Sequence, residues 1–235
     1  MIHGFASTFE RNWLGTGWME AIARARWRAL AYDQRGHGHS EKRYHPADYA
    51  PERLVADALA VLDAARAQRA VLMGYSMGAR IALEVAITHP ARVLGLALGG
   101  IGSGFRDFGS ARGDRETVAR ALEAEDPSVF PAAARFYRDF AEETRQDRCA
   151  LAACWRRPIR VVEPHDLAAI AAPTLLVVGE RDLVAGDVEP LARSIAGARL
   201  VRLAGKDHMT AVGAREHRRS VLEFLATLTV GRKED

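Results

Sequence analysis

An α/β fold with a mostly parallel sheet is what this sequence predicts, and two patterns predict it. Short, unbroken aliphatic runs recur along the chain, as strands buried on both faces require. Longer amphipathic stretches separate them, and that alternation places helices on both faces of a parallel sheet. The 235 residues, 49% of them hydrophobic and 27% charged, suffice for one globular domain with a sizeable core.

Five runs read as strands: "WRALAY" (27–32), "AVLMGY" (70–75), "VLGLAL" (93–98), "PTLLVVG" (173–179) and "ARLVRL" (198–203). Between the first two, Pro51 suits the opening turn of a helix, and "ERLVADALAVLDAA" sets Leu54, Ala58, Val61 and Leu62 on one face. A second helix starts at Met77, directly after the second strand. "TAVGAREHRRSVLEFLATL" closes the pattern, with Val221, Leu222 and Leu225 as its apolar side.

From about Ser103 to Ala172 the alternation stops, for far longer than an ordinary connection. Three helical stretches fill the gap. "DRETVARALEAED" is ended by Pro127, "SVFPAAARFYRDFAEET" has Ser128 as its candidate N-cap, and "QDRCALAACWRR" is ended by Pro158. Residues 103–172 therefore read as a small helical cap over the C-terminal edge of the sheet, inserted into a core made of 1–102 and 173–235. Long insertions in open α/β sheets sit where ligands bind. A helical subdomain with no part in the site is the alternative.

Composition narrows the partners. The pI is near 9.1, yet net charge is +3 and the arginines are interleaved with acids, as in "RDFAEETRQDR", so no basic stripe for nucleic acid emerges. The first residues lack the basic start and long apolar core of a signal peptide, and no run approaches a membrane span. The expectation is a soluble, cytoplasmic protein without a membrane partner. Cys149 and Cys154 match no zinc or redox spacing and read as plain buried or half-buried thiols. "GGIGSGF" follows a strand but does not fit a dinucleotide loop, and no phosphate-loop lysine accompanies any glycine run. No cofactor is expected.

The chemistry centres on "GYSMG" (74–78), a lone serine between two glycines where a strand turns into a helix. Such an elbow holds its serine on a turn too tight for flanking side chains. Ser76 would stand exposed above the sheet, with the helix N-terminus behind it favouring developing negative charge. A serine hydroxyl needs a histidine to take its proton and a carboxylate to fix that histidine's tautomer. Asp182 in "ERDLVAGD" and His208 in "AGKDHMTAVG" both lie just past strand ends, on the same edge as Ser76. The backbone N–H of Met77, next after the serine, is one candidate oxyanion donor.

Taken together, "HGF" (3–5), "DQRGHGHS" (33–40), "GYSMG", "GERD" (179–182) and "GKDH" (205–208) resemble the α/β-hydrolase family in order and separation. The resemblance covers nearly the whole chain outside the cap. It implies a serine-esterase-like triad of Ser76, Asp182 and His208, and it makes Phe5 the second oxyanion donor. It also implies that aspartate-nucleophile relatives, such as dehalogenases and epoxide hydrolases, are excluded by the serine at the elbow. Relatives have two strands ahead of the one ending in the HG motif. With Met1 two residues before His3, those strands are expected in a missing upstream segment, with a naturally shortened sheet as the alternative, and 27–32 is expected as a sheet edge.

Other polar residues have plainer readings. Asp207 adjoins His208 and reads as a loop residue. Asp107, after the strand ending "LALGG", is a rival position for the acid. Glu180 and Asp187 read as solvated, His37 and His39 as turn residues, and His3 resembles the family's structural histidine. None of these histidines has a third partner at metal-ligand spacing, so no metal is implied. Asn12, Trp13 and Trp18 could line the acyl pocket or pack on the cap.

The expected activity is cleavage of small carboxylic esters through an acyl-enzyme. Thioesterase, lactonase, C–C bond hydrolase and acyltransferase share the triad and stay open, because a fold does not settle function. So does a binding protein on the same fold that turns over little or nothing. Phe130, Phe136, Tyr137, Phe140 and Trp155 stand singly in the cap segment rather than as a continuous apolar wall, so short acyl chains are expected to be preferred.

Overall fold

The computed structural model describes residues 1–103 and 115–228. Four strands, β1 (Ala70–Tyr75), β2 (Val93–Gly99), β3 (Thr174–Gly179) and β4 (Arg199–Leu203), form one sheet in the order β1-β2-β3-β4. Every neighbouring pair is parallel, so all four carboxyl ends lie at one edge. Helices alternate with the strands: α1 (Trp18–Arg24), α2 (Pro51–Ala64), α3 (Met77–Thr88), α4 (Arg115–Glu123), α5 (Ala132–Glu143), α6 (Arg148–Trp155), α7 (Pro164–Ala168), α8 (Glu189–Ser194), α9 (His208–Ala211) and α10 (Arg215–Thr227).

The aliphatic runs are continuous because the sheet is covered on both sides. Leu72, Leu96, Leu98, Leu176 and Val178 join one buried cluster with residues of α2, α3 and the segment between β2 and β3. Their neighbours Met73, Ala97, Leu175 and Val177 join another with residues of α1 and α10. Side chains alternate across a strand, so each layer takes every second residue. Burying one such aliphatic side chain stabilises the fold by about 1.5–3 kcal/mol.

Three expectations need correcting. Residues 27–32 form no ladder; Tyr32 makes a single parallel bridge to Ile2, which bridges Gly74 on its other side. The run forms no strand because among the described residues Ile2 alone pairs with it, and one pair does not propagate a ladder. Ser128 is not an N-cap either. Its N–H is received by the Asp126 carboxylate at 2.8 Å in a short 3₁₀ turn, and α5 begins later, after Pro131. Trp13 and Trp18 neither line the pocket nor pack on the inserted helices. Both are fully buried in the α1/α10 layer, where the Trp18 indole N–H donates to Val212 O at 2.8 Å and its ring lies 5.0 Å from that of His217.

The segment between β2 and β3 contributes α4 to α7. Its α5–α6 turn is pinned to the rest of the molecule at three points. The Thr144 hydroxyl donates to Ala6 O at 2.8 Å, Gln146 Oε1 accepts the Gly38 N–H at 2.8 Å, and Tyr44 donates to Asp147 at 2.9 Å. Asp147 also caps α6 by accepting the Ala150 N–H at 2.9 Å.

Candidate active site

Ser76 sits between β1 and α3 with φ 53° and ψ −113°, the left-handed side of the map that a residue with a Cβ reaches at a cost of about 1–3 kcal/mol. Close packing holds it there. A Cβ on Gly78 would lie 2.0 Å from Ile2 O, and one on Gly74 would lie 2.3 Å from Gly78 O, so only glycine lets α3, β1 and the Ile2–His3 backbone meet. The Ser76 N–H donates to Gly99 O at 2.8 Å, and its carbonyl accepts the Arg80 N–H at 3.1 Å, which fixes both ends of the turn.

Asp182 follows β3 and His208 opens α9 after β4. The two loops are drawn together because Glu180 N–H donates to Leu203 O at 3.0 Å and Arg181 N–H to Lys206 O at 2.9 Å. Gly179 permits the approach, since a Cβ there would fall 2.2 Å from Lys206 O. His208 Nδ1 consequently lies 2.8 and 2.9 Å from the two Asp182 carboxylate oxygens. Oδ1 also accepts the Val184 and Ala185 N–H groups at 3.1 and 2.8 Å, so the carboxylate is locked in place and buried. A carboxylate at Nδ1 fixes the imidazole with its proton there and leaves Nε2 free as a base. From the other side, the Tyr75 hydroxyl donates to His208 O at 2.6 Å, and its ring lies 5.3 Å from the imidazole.

Ser76 and His208 face one cavity of about 300 Å³, whose walls include Tyr75, Phe136, Tyr137 and Phe140. No hydrogen bond joins the Ser76 hydroxyl to His208. Such contacts are commonly long in an unliganded site and tighten when substrate arrives. Phe5 lines the same cavity, and Met77 begins α3 beside it. Among the described residues neither the Phe5 nor the Met77 N–H has an acceptor. Asn12 Oδ1 takes the adjacent Gly4 N–H at 3.2 Å and holds the loop that carries Phe5.

The remaining candidates fall outside this group. Asp207 is the N-cap of α9, accepting the Met209 and Thr210 N–H groups at 3.0 and 2.8 Å, with its carboxyl held below the usual range chiefly by the Thr210 hydroxyl. Its carboxylate is committed to the helix terminus rather than to the imidazole beside it. Asp107 lies outside the described residues. Glu180 and Asp187 are exposed; they accept the Gly205 and Glu189 N–H groups at 3.1 and 3.0 Å.

His3 is fully buried: Nδ1–H donates to Gly4 O at 2.8 Å and Nε2 accepts the Gln34 N–H at 3.0 Å. Desolvation pushes its pKa down to about 4, and that of the equally buried His37 down to about 3. His39 is exposed, and so is the free Cys149, against the burial expected of it, whereas Cys154 is buried with its sulfur 3.9 Å from Met77 Sδ. Among the described residues no group of three His, Cys, Asp or Glu side chains could hold a metal ion, and no helix is long and apolar enough to cross a membrane.

Tyr75 is the contributor that sequence reasoning missed. It lies inside the elbow motif, but nothing local in the sequence shows that its hydroxyl reaches the histidine loop.

A family model for the alpha/beta hydrolase fold matches residues 1–150. Among curated proteins, the chain is similar to Epoxide hydrolase B of Mycobacterium tuberculosis, with 34% identity over 131 residues. That match covers 54% of this chain and 36% of the relative, so the alignment spans about a third of the relative's length. Among solved structures, a hydrolase from Pseudomonas aeruginosa superposes with a TM-score of 0.76 and 28% identity, covering 95% of this chain and 88% of that one. An enol-lactonase from Burkholderia xenovorans superposes with a TM-score of 0.74 and 26% identity, covering 96% and 89%.

Proposed function

The chain belongs to the α/β hydrolase fold family, and from that premise we propose that it hydrolyses small carboxylic esters through an acyl-enzyme on Ser76. The observation that supports this reading is the Asp182–His208 pair: the carboxylate takes Nδ1 and leaves Nε2 as the remaining nitrogen, and His208 lines the same cavity as Ser76 on its strained elbow. In the first half-reaction Ser76 Oγ attacks the ester carbonyl and passes its proton to His208 Nε2, while Asp182 stabilises the imidazolium through Nδ1–H. The Phe5 and Met77 N–H groups receive the oxyanion, each worth about 3 kcal/mol in the transition state. Collapse of that intermediate expels the alkoxide, which takes the Nε2 proton. Water activated by the same nitrogen then releases the acid and restores Ser76.

The chemistry of the nucleophile speaks against epoxide opening despite the likeness above. A serine alkoxide attacking an epoxide carbon would leave an ether, which neither water nor His208 can hydrolyse, so the enzyme would stop after one event. An acyl group leaves an ester that water can cleave. A second reading, lactone hydrolysis, is supported by the enol-lactonase likeness over 89% of that chain; a lactone is a cyclic ester and needs no different residue. The segment spanning 103–172 would act as the cap, since α5 supplies Phe136, Tyr137 and Phe140 to the cavity.

The test is a panel of aryl esters, thioesters and lactones run with wild type and Ser76→Ala, together with a fluorophosphonate probe read by intact mass. Wild type should carry one adduct on Ser76 and turn over at least one ester class, and Ser76→Ala should do neither. A folded wild type that gains no adduct, or one on another residue, would sink the reading. Ligand-induced thermal stabilisation without turnover would instead indicate a binding protein on this fold.

A further inference from the structure

The cavity is walled largely by apolar groups, yet Arg11 also lines it. Arg11 lies one residue before Asn12, whose Oδ1 holds the Gly4 amide, so it stands on the same stretch of chain that carries the Phe5 amide. Its Nη2 is bonded to Glu143 Oε1 at 2.5 Å, and its guanidinium carbon lies 5.3 Å from the centre of the Phe140 ring. Both partners of the ion pair are open to water, with Arg11 at 45% and Glu143 at 60% side-chain exposure. An exposed pair adds little to stability. Nor is it needed to anchor α5, because Thr144, Gln146 and Asp147 already fasten the α5–α6 turn to the rest of the fold. What the pair does is hold a guanidinium, oriented over an aromatic face, at the wall of the nucleophile's cavity. One carboxylate there can be exchanged for another at small cost, because the charge count is unchanged and guanidinium favours planar, two-pronged contact with carboxylate.

We propose that Arg11 is a specificity-determining residue that binds a carboxylate carried by the substrate, with Glu143 as its resting partner, so that the preferred substrates are small esters bearing an acid group. The assignment rests on the ester-hydrolase reading of Ser76. Glu143 thus acts as an internal competitor for the site. Removing either partner shifts selectivity in opposite directions, which a mere tether would not do.

The test compares monoethyl glutarate with ethyl pentanoate, two esters of equal acyl length that differ in the terminal carboxylate, followed by pH-stat at pH 7.5. Wild type should favour the glutarate ester. Arg11→Met should lower kcat/KM for it by about 10- to 100-fold, the range of a charge-assisted contact, mainly through KM, and leave ethyl pentanoate within about twofold. Glu143→Gln should lower KM for monoethyl glutarate and leave the neutral ester unchanged. Equal effects of both variants on both esters would reveal a structural pair and overturn the proposal.

Calorimetric titration of Ser76→Ala with monoethyl glutarate keeps the two readings apart. Binding that disappears in Ser76→Ala/Arg11→Met supports Arg11 even if wild type hydrolyses neither ester, in which case the ester-hydrolase reading fails alone. Binding unaffected by Arg11→Met, or no preference over ethyl pentanoate, refutes the carboxylate site whatever the turnover.

Discussion

Substituting Gly78 with alanine tests whether the elbow and the loop bearing Phe5 must sit at one fixed separation. The new Cβ would lie 2.0 Å from Ile2 O, 2.5 Å from Ile2 C and 2.6 Å from His3 O, all backbone atoms. Since real Cβ atoms do not come within 3.0 Å, α3 and the Ile2–His3 backbone must part by about 3.0 − 2.0 = 1.0 Å. Neither side gives way freely. Ile2 N–H donates to Met73 O at 2.8 Å, and Ile2 O accepts the Tyr75 N–H at 3.1 Å. The Met77 amide travels with α3 and the Phe5 amide with the loop, so the gap between the two proposed donors widens by a similar distance. A misplacement of about 1 Å costs about 100-fold in rate, comparable with losing one oxyanion donor. Overpacking of this kind also costs about 1–3 kcal/mol, or about 2–12 °C in Tm at this chain length.

Gly78→Ala should therefore lower kcat on p-nitrophenyl butyrate by about 100-fold, with KM within about threefold, while circular dichroism still shows the folded protein. Gly213→Ala is the control, because its Cβ meets side-chain rather than backbone atoms, the nearest being Thr16 Cγ2 at 3.1 Å. It should keep most of the activity. A Gly78→Ala protein with wild-type kcat would refute the argument that these two backbone segments set the oxyanion geometry. So would a large loss of Tm without a loss of kcat.

Other outcomes follow from the same geometry. Asp182→Asn should cut turnover by about four decades with the fold retained, because an amide cannot hold the Nδ1–H tautomer of His208; an ester-cleavage rate within tenfold of wild type would show that another group supplies the acid. Stability should fall on acidification. Burial holds His3 and His217 down to about 4 and His37 down to about 3, whereas unfolded histidine takes its proton near 6.5. The unfolded chain thus binds more protons below pH 6.5. Stability is complete above that pH and is lost toward pH 4, by about 1.4 kcal/mol per unit for each histidine. Urea midpoints that coincide at pH 7 and pH 5 would contradict this. Finally, with a cavity of about 300 Å³ closed by Phe136, Tyr137 and Phe140, kcat/KM on p-nitrophenyl esters should peak at short acyl chains of roughly two to six carbons. Efficiency still rising at twelve carbons would reveal an apolar tunnel instead.

Four of the five strand runs were legible because apolar continuity is a local signal, and so were the elbow and the acid and histidine loops, which adjoin strand ends. The fifth run, 27–32, has the same aliphatic character but meets Ile2 alone, and pairing is a property of the partner as much as of the run. Ser128 does not start α5, because Asp126 takes that amide and Pro131 resets the helix three residues later. Of Asn12, Trp13 and Trp18, Asn12 lines the cavity, one of the two places expected for it, and the tryptophans take neither. One turn of chain points Asn12 at the Gly4 amide and the tryptophans into the α1/α10 layer, and only the long-range packing decides which way each faces. The same holds for Tyr75 and Arg11, whose partners lie 133 and 132 residues away.

Eight histidines occur in the chain, and composition treats them alike. Their surroundings divide them by chemistry. His3, His37 and His217 are buried, and each donates Nδ1–H to a backbone carbonyl, at 2.8, 3.0 and 3.0 Å. A carbonyl fixes the tautomer but offers no negative charge, so burial wins and these rings stay neutral. His39, His45, His89 and His165 are exposed, and among the described residues none has a carboxylate within hydrogen-bond reach of Nδ1. His208 combines what the others hold separately. A buried carboxylate stands at Nδ1, so a proton gained at Nε2 can be stabilised. The ring keeps 12% side-chain exposure, on the cavity that Ser76 also faces. A base must both accept a proton from the nucleophile and return it to the leaving group. A fully buried ring could not reach the substrate, and a solvated one could not hold its orientation. The site therefore depends less on having a histidine after the last strand than on the contact between the loops that follow β3 and β4, where Asp182 and His208 meet.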